Sequence, residues 1–185
     1  MKKRCKFGLL FIAINAAVLW GVASFSHFAY EIFGKSPVVG LFSPVNESVW
    51  EHLKLLFFPL LLWWLIAYFI WGKPCAVGLR KWTVAAAVGL LTAMGSVLLL
   101  YYAYTGDLGV ESAVVDIVLT YVGFFLGLLL AFHAIRYANP GLAAAGISVL
   151  VIALIALAFF LFTFRPPHLP LFYDTSAGIY GPSAE

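Results

Sequence analysis

GLAAAGISVLVIALIALAFFLFTF, residues 141–164, places no charged side chain in 24 consecutive positions, and its reading decides the fold. A bilayer core takes about 20 apolar residues of helix to cross. Backbone in lipid must pair its own N–H and C=O groups, which a helix does. Four more apolar runs lie at residues 7–30, 55–72, 83–104 and 113–135. The chain therefore reads as all-α, a polytopic helical membrane protein with about five transmembrane helices. Of its 185 residues 64% are hydrophobic and 10% charged, where a soluble domain carries about a quarter charged.

The charges sort by side. With the N-terminus in the cytoplasm, Lys2, Lys3, Arg4, Lys6, Lys73, Arg80, Lys81 and Arg136 are cytoplasmic, eight of the eleven basic residues, and only Lys35, Lys54 and Arg165 lie outside. That bias is the positive-inside pattern. It predicts a multi-pass protein of the cell membrane with a cytoplasmic N-terminus and an extracytoplasmic C-terminus. All eight acids (Glu31, Glu47, Glu51, Asp107, Glu111, Asp116, Asp174 and Glu185) then fall outside, with His27, His52 and His168. The bilayer is the expected partner, and nothing supports nucleic-acid binding. Cys5 and Cys75 both fall on the reducing side, so two unpaired thiols are expected. The N-terminal Lys-Lys-Arg and apolar stretch imitate a secretory signal; its length reads as an uncleaved first helix.

Residues 1–164 form one five-span helical domain, and residues 165–185 an extracytoplasmic tail packing on the outer mouth. The first helix is expected to run to about Phe33 and stop at Gly34. From Phe7 to His27 is about 30 Å of helix, which puts His27 near the outer boundary. Glu31 is four residues further on, on the same face. Ser43 and Pro44 read as N-cap and first residue of the second helix, with Pro59 offering a kink. On that helix Glu47, Ser48, Glu51, His52 and Lys54 would share one polar arc. Tyr101, Tyr102 and Tyr104 read as an outer aromatic belt, Trp71 and Trp82 as an inner one. Gly123 and Gly127, and Gly141, Ala145 and Gly146, would permit close helix approach.

Imidazole with carboxylate is zinc-ligand chemistry, and a catalytic site needs three protein ligands and a water. His27, His52, His168 and Asp174 are the candidate metal ligands; Glu31, Glu47 and Asp116 are the candidate catalytic carboxylates. The bland alternative is a set of solvated interfacial charges. His133, beside Arg136, reads as interfacial on the other side.

Residues 42–53, FSPVNESVWEHL, resemble the signature stretch of a family of small bacterial integral membrane proteins without assigned function. Residues 166–181, PPHLPLFYDTSAGIYG, resemble that family's C-terminal motif. Residues 46–53, NESVWEHL, are also similar to a stretch of the progestin and adiponectin receptor family, part of a wider group with membrane hydrolases such as alkaline ceramidases. That second likeness implies a zinc-ligand role for His52. This chain is one residue shorter between Glu47 and Trp50, has about five spans instead of seven, and lacks that family's last-span histidines.

The expected function is a Zn2+-dependent membrane hydrolase acting on a lipid amide or ester. The rivals are a proton- or cation-coupled transporter and a non-catalytic partner-binding module. Histidines converging to within about 5 Å would favour metal, a continuous polar path transport, and scattered side chains the module.

Overall fold

The computed structural model describes residues 7–182. Lys2, Lys3, Arg4, Cys5, Lys6 and Glu185, which enter the charge and thiol expectations above, lie outside that range. Among the described residues the chain forms α1 (Leu9–Ile32), a single turn α2 (Pro37–Gly40), α3 (Val49–Ala67), α4 (Leu79–Leu108), α5 (Ala113–Tyr137) and α6 (Leu142–Phe164). A π-helical turn, Tyr68–Gly72, extends α3. Five of these helices are long and apolar enough to cross a membrane.

α3 is the most buried span and packs against α1, α4, α5 and α6. Its core residues Leu56, Phe57, Leu60 and Trp64 meet Leu90 and Ala93 of α4, Phe124 and Leu128 of α5, and Phe159 of α6 in one apolar cluster. α1 joins the cluster through Ile12, Ala16, Leu19 and Ala23 and is tied to α5 where the Trp20 indole donates to the Ile117 carbonyl at 3.0 Å.

α1 ends where expected. Gly34 takes a left-handed φ of 64°; its N–H bonds the Glu31 carbonyl, and the Lys35 N–H reaches back to Tyr30. This is the Schellman termination that a glycine after the last turn permits.

Three expectations are corrected. α3 begins six residues later than Ser43, with Ser48 as its N-cap, accepting from the Glu51 N–H at 3.4 Å. The reason lies in side-chain bonds, one of them from the distant tail: the N–H groups of Val45, Glu47 and Ser48 are held by the side chains of Glu51, Asp174 and Asn46. Trp82 is a core residue instead of a belt residue, because its indole N–H finds the Trp64 carbonyl at 3.0 Å and its ring meets that of Trp64 edge-on. Cys75 is buried, and no described cysteine is free, against the expectation of unpaired thiols; Cys5 lies outside the described residues.

After α6 the chain turns back. Pro170–Phe172 makes a 3-10 turn, and a hairpin pairs β1 (Tyr173–Asp174) with β2 (Ile179–Tyr180), Tyr173 opposite Tyr180. The tail is fastened to the segment before α3: the Asn46 amide donates to the Gly181 carbonyl at 2.8 Å, and Asp174 accepts the Glu47 N–H at 2.9 Å.

α4 and α5 approach closely because two glycines let them. A Cβ on Gly127 would stand 2.6 Å from the Gly89 carbonyl oxygen, and one on Gly123 would stand 2.6 Å from Val97. In α6 the expectation divides: Ala145 is buried, but a Cβ on Gly141 or Gly146 would meet open space. Gly127→Ala should therefore force the two helices apart and cost about 1–3 kcal/mol, while Gly146→Ala leaves stability unchanged. Thermal unfolding of the detergent-solubilised variants by circular dichroism reads this; equal midpoints would show that the α4–α5 contact tolerates a methyl group.

Candidate metal centre

The site is built on the segment that enters α3. Glu51 and Lys54, one helical turn apart, are 2% and 0% exposed. The Lys54 ammonium donates to Glu51 Oε2 at 2.6 Å, to the Gly40 carbonyl at 2.7 Å and to the Ser43 carbonyl at 3.4 Å. Glu51 Oε2 also accepts the Val45 N–H at 3.0 Å, and its Oε1 faces the Thr163 hydroxyl of α6 at 3.5 Å. The pair thus fixes residues 40–45 against α3 and α6. It is not the solvated interfacial charge expected of Lys54 and Glu51.

With 40–45 held, the next residues turn on Asn46, whose side-chain oxygen accepts the Ser48 N–H at 2.9 Å. Glu47 is left outside the helix with its side chain half-exposed. It lies between two histidines: Oε2 is 3.3 Å from His52 Nε2, and Oε1 is 3.9 Å from His27 Nε2. His27 comes from the last two turns of α1, and His52 from the first turn of α3. The two rings tilt against each other with centroids 5.2 Å apart. One ligand atom from each of His27, Glu47 and His52 lies within 4.8 Å of the others.

The two imidazoles are held differently. His52 Nδ1 is 3.0 Å from the Ser48 carbonyl, and that oxygen only accepts. A proton belongs on Nδ1, and Nε2 faces Glu47. His27 Nδ1 is buried with no hydrogen-bond partner; its ring is placed by packing, edge-on to Phe28 at 4.9 Å.

A cavity of about 200 Å3 opens beside the group, lined by His27, Tyr30, Glu31 and Glu47 on one side and by Asp174 and Ile179 of the tail on the other. Glu31 is exposed at its rim. Asp116 stands apart, accepting from the Tyr104 hydroxyl at 2.7 Å.

The remaining predicted site residues lie elsewhere. His168 is exposed, its ring stacked on Tyr180 at 4.5 Å, and it is not in the converging group. Asp174 is buried, and both its oxygens are taken: Oδ2 by the Glu47 N–H, and Oδ1 by the Ser176 N–H and hydroxyl and the Ala177 N–H. His133 packs on Tyr137. The sequence alone gives Asn46 and Thr163 no role, and it leaves open whether the arc carrying Glu51 and Lys54 lies at the interface or packs inside protein. One signal was available for the last two: an acid and a base three apart, surrounded by Leu53, Leu55 and Leu56, are apolar-flanked on both sides and must pair.

Two ionisable groups outside the spanning helices, Glu47 and Asp174, are more acidic than usual. The hydrogen bond from His52 holds the Glu47 carboxyl below its ordinary value against the opposing effect of burial. Burial pushes Asp174 up, but hydrogen bonds from Ser176, Glu47 and Ala177 outweigh it and bring the carboxyl down.

By sequence the chain belongs to DUF6512, a family of unknown function, which it matches over residues 1–182. No curated protein and no solved structure matches it.

Two outcomes are expected of this geometry. Removing one member of the buried pair, by Glu51→Gln or Lys54→Met, should cost about 3–5 kcal/mol, because the other charge is left uncompensated. The double variant should cost less than the sum of the two, read as the coupling in unfolding by denaturant; strict additivity would mean that the two charges do not interact. The second outcome concerns acid. Carboxyls depressed in the folded state add stability fully above their ordinary values of 4.5 and 3.8 and lose it as pH falls through the lower folded values. The tail should stay docked at pH 5 and release only below the ordinary carboxyl range, followed by limited proteolysis of residues 166–182. Release beginning above pH 5 would have the wrong sign for these groups.

Proposed function

We propose that this protein holds a zinc ion between His27, Glu47 and His52 and uses it to hydrolyse a lipid amide or ester at the outer face of the membrane. The convergence of those three side chains from three separate segments, with ligand atoms within 4.8 Å of one another, carries the reading. Two imidazoles and one carboxylate are a catalytic zinc donor set that leaves a fourth position for water. Ligands at about 2.0–2.1 Å from a tetrahedral ion stand roughly 3.3 Å from one another. His52 Nε2 and Glu47 Oε2 are 3.3 Å apart. His27 Nε2 stands 3.9 Å from the other carboxylate oxygen, Oε1, and its Nδ1 has no hydrogen-bond partner, so the ring would move inward to complete the set.

The hydrogen-bond logic points the same way. Both partners of the His52 ring, the Ser48 carbonyl and the Glu47 carboxylate, are acceptors. Either the ring carries two protons as imidazolium, or Nδ1 carries the proton and a cation takes the position between Nε2 and Glu47. The carbonyl on Nδ1 is the usual outer partner of a metal-bound histidine, fixing tautomer and ring direction.

A zinc ion held there would lower the pKa of a bound water to about 7 and so would supply a nucleophile for a substrate carbonyl carbon. Glu31, whose carboxylate lines the same cavity, would take the water's proton and return it to the leaving amine or alkoxide as the C–N or C–O bond breaks. His27 lies about 27 Å along α1 from Leu9, a depth at which a headgroup-proximal bond is reached. A transport path would need polar groups continuing below the cluster. Deeper in the bundle Asn15 and Trp63 bond one another at 2.9 Å and offer no free ligand.

The test is the metal content of detergent-purified protein by mass spectrometry, beside His27→Ala and His52→Ala. Near-stoichiometric zinc in the parent, lost in each variant, is the expected result, with zinc-dependent release of fatty acid from amide- or ester-linked lipids following it. A parent protein that takes up no zinc on reconstitution overturns the proposal and leaves His52 as an imidazolium paired with Glu47.

A further inference from the structure

Asp174 lies outside the proposed ligand set, yet its buried carboxylate bonds both the tail and the ligand-bearing segment. Its Oδ2 accepts the backbone N–H of Glu47 at 2.9 Å. Its Oδ1 accepts from the Ser176 N–H at 2.8 Å, the Ser176 hydroxyl at 2.7 Å and the Ala177 N–H at 3.0 Å. It is 2% exposed. An ionised carboxylate alone among side chains has two acceptor-only oxygens for this task. An asparagine would have to turn its amide towards one of the two sets, placing donor against donor.

Resting on the zinc reading above, we infer that Asp174 is a positioning residue for the metal centre: through the Glu47 N–H it sets the direction of the Glu47 carboxylate, so that the C-terminal hairpin and the metal bind as one coupled unit. Glu47 is the ligand in greatest need of such support. It precedes the helix and has no helical backbone bond to hold it, whereas His27 and His52 sit on α1 and α3. The neighbouring clasp, Asn46 to the Gly181 carbonyl at 2.8 Å, docks the same hairpin without touching Glu47. Because coupling of two binding events is reciprocal, a tail that raises metal affinity must itself be held more tightly when metal is bound.

The experiment uses the full chain in detergent with Co2+ as a spectroscopic probe and Zn2+ as competitor. Asp174→Asn should weaken metal binding about 10–100-fold, as loss of outer-shell partners does, and alter the ligand-field bands of the cobalt form. Ser176→Ala, which removes one tail bond and leaves the Glu47 bond, should keep the parental spectrum and affinity. An Asp174→Asn protein with parental affinity and spectrum overturns the inference while leaving the zinc proposal standing. A parent chain that binds neither ion overturns both. Should Asp174→Asn not fold, hydrogen exchange on the parent decides: saturating zinc should slow exchange in the stretches holding Glu47 and Ser176–Ala177, and exchange unchanged by zinc there overturns the coupling.

Discussion

The ion pair between Glu51 and Lys54 is the constraint on which the rest of this structure depends. Taking two charges out of water costs several kcal/mol each, and here that cost is met by complete pairing. The ammonium has three acceptors, and the carboxylate has Lys54, the Val45 N–H and the Thr163 hydroxyl. An apolar pair in the same place would fill space, but it would not choose between one path of residues 40–45 and another. The Gly40 and Ser43 carbonyls and the Val45 N–H can be satisfied together only if the chain passes over the start of α3 in this one way. Gly40 has room for that path because it lacks a side chain: a Cβ there would stand 2.7 Å from Val45.

From that path the candidate centre follows by steps. Once the N–H groups of Val45, Glu47 and Ser48 are bonded to side chains, the helix cannot begin before Val49, and Ser48 becomes the cap. His52 then falls in the first turn, where its Nδ1 meets the carbonyl of its own cap residue. Glu47 falls one residue before the cap, free to point across at α1 instead of along the face of α3. The charges nearest the apolar core hold the backbone, and Glu47, nearer the end of the bundle, meets His27 and His52.

This division also separates what the sequence discloses from what it hides. The five spans, the end of α1 at Gly34 and the α4–α5 contact through Gly123 and Gly127 are written in local patterns: apolar length, a glycine after a last turn, small residues four apart. His27 and His52 were legible as candidates because imidazoles at the mouth of an apolar bundle are few. The polar arc of Glu47, Ser48, Glu51, His52 and Lys54 was not, because projecting it on a helix assumed that residues 43–48 are helical. Non-local bonds decide that they are not. Asp174 and His168 read alike in sequence as tail residues able to ligate. Only the hairpin register shows that one carboxylate is consumed by four bonds and the other ring is stacked on Tyr180.

In lipid, one apolar helix face gains little by meeting another, so association rests on packing and on the few interhelical hydrogen bonds. The bundle follows that rule. Its apolar core is generic, whereas its polar contacts are specific: Trp20 to α5, Trp82 to α3, Asn15 with Trp63, Tyr104 with Asp116 of α5, and Glu51 with Thr163 of α6. The densest of these gather at one end, where residues 40–54 meet residues 163–181. These two segments, more than a hundred residues apart in the chain, meet both through apolar packing, with the Trp50 and Phe172 rings 4.9 Å apart, and through paired donors and acceptors. A bundle held only by its core would not need Asp174 to be charged, Asn46 to reach Gly181 or Glu51 to be buried. Asp174 takes the Glu47 N–H and Asn46 donates to the Gly181 carbonyl, so the contacts that dock the tail also fix the backbone that carries Glu47 beside His27 and His52.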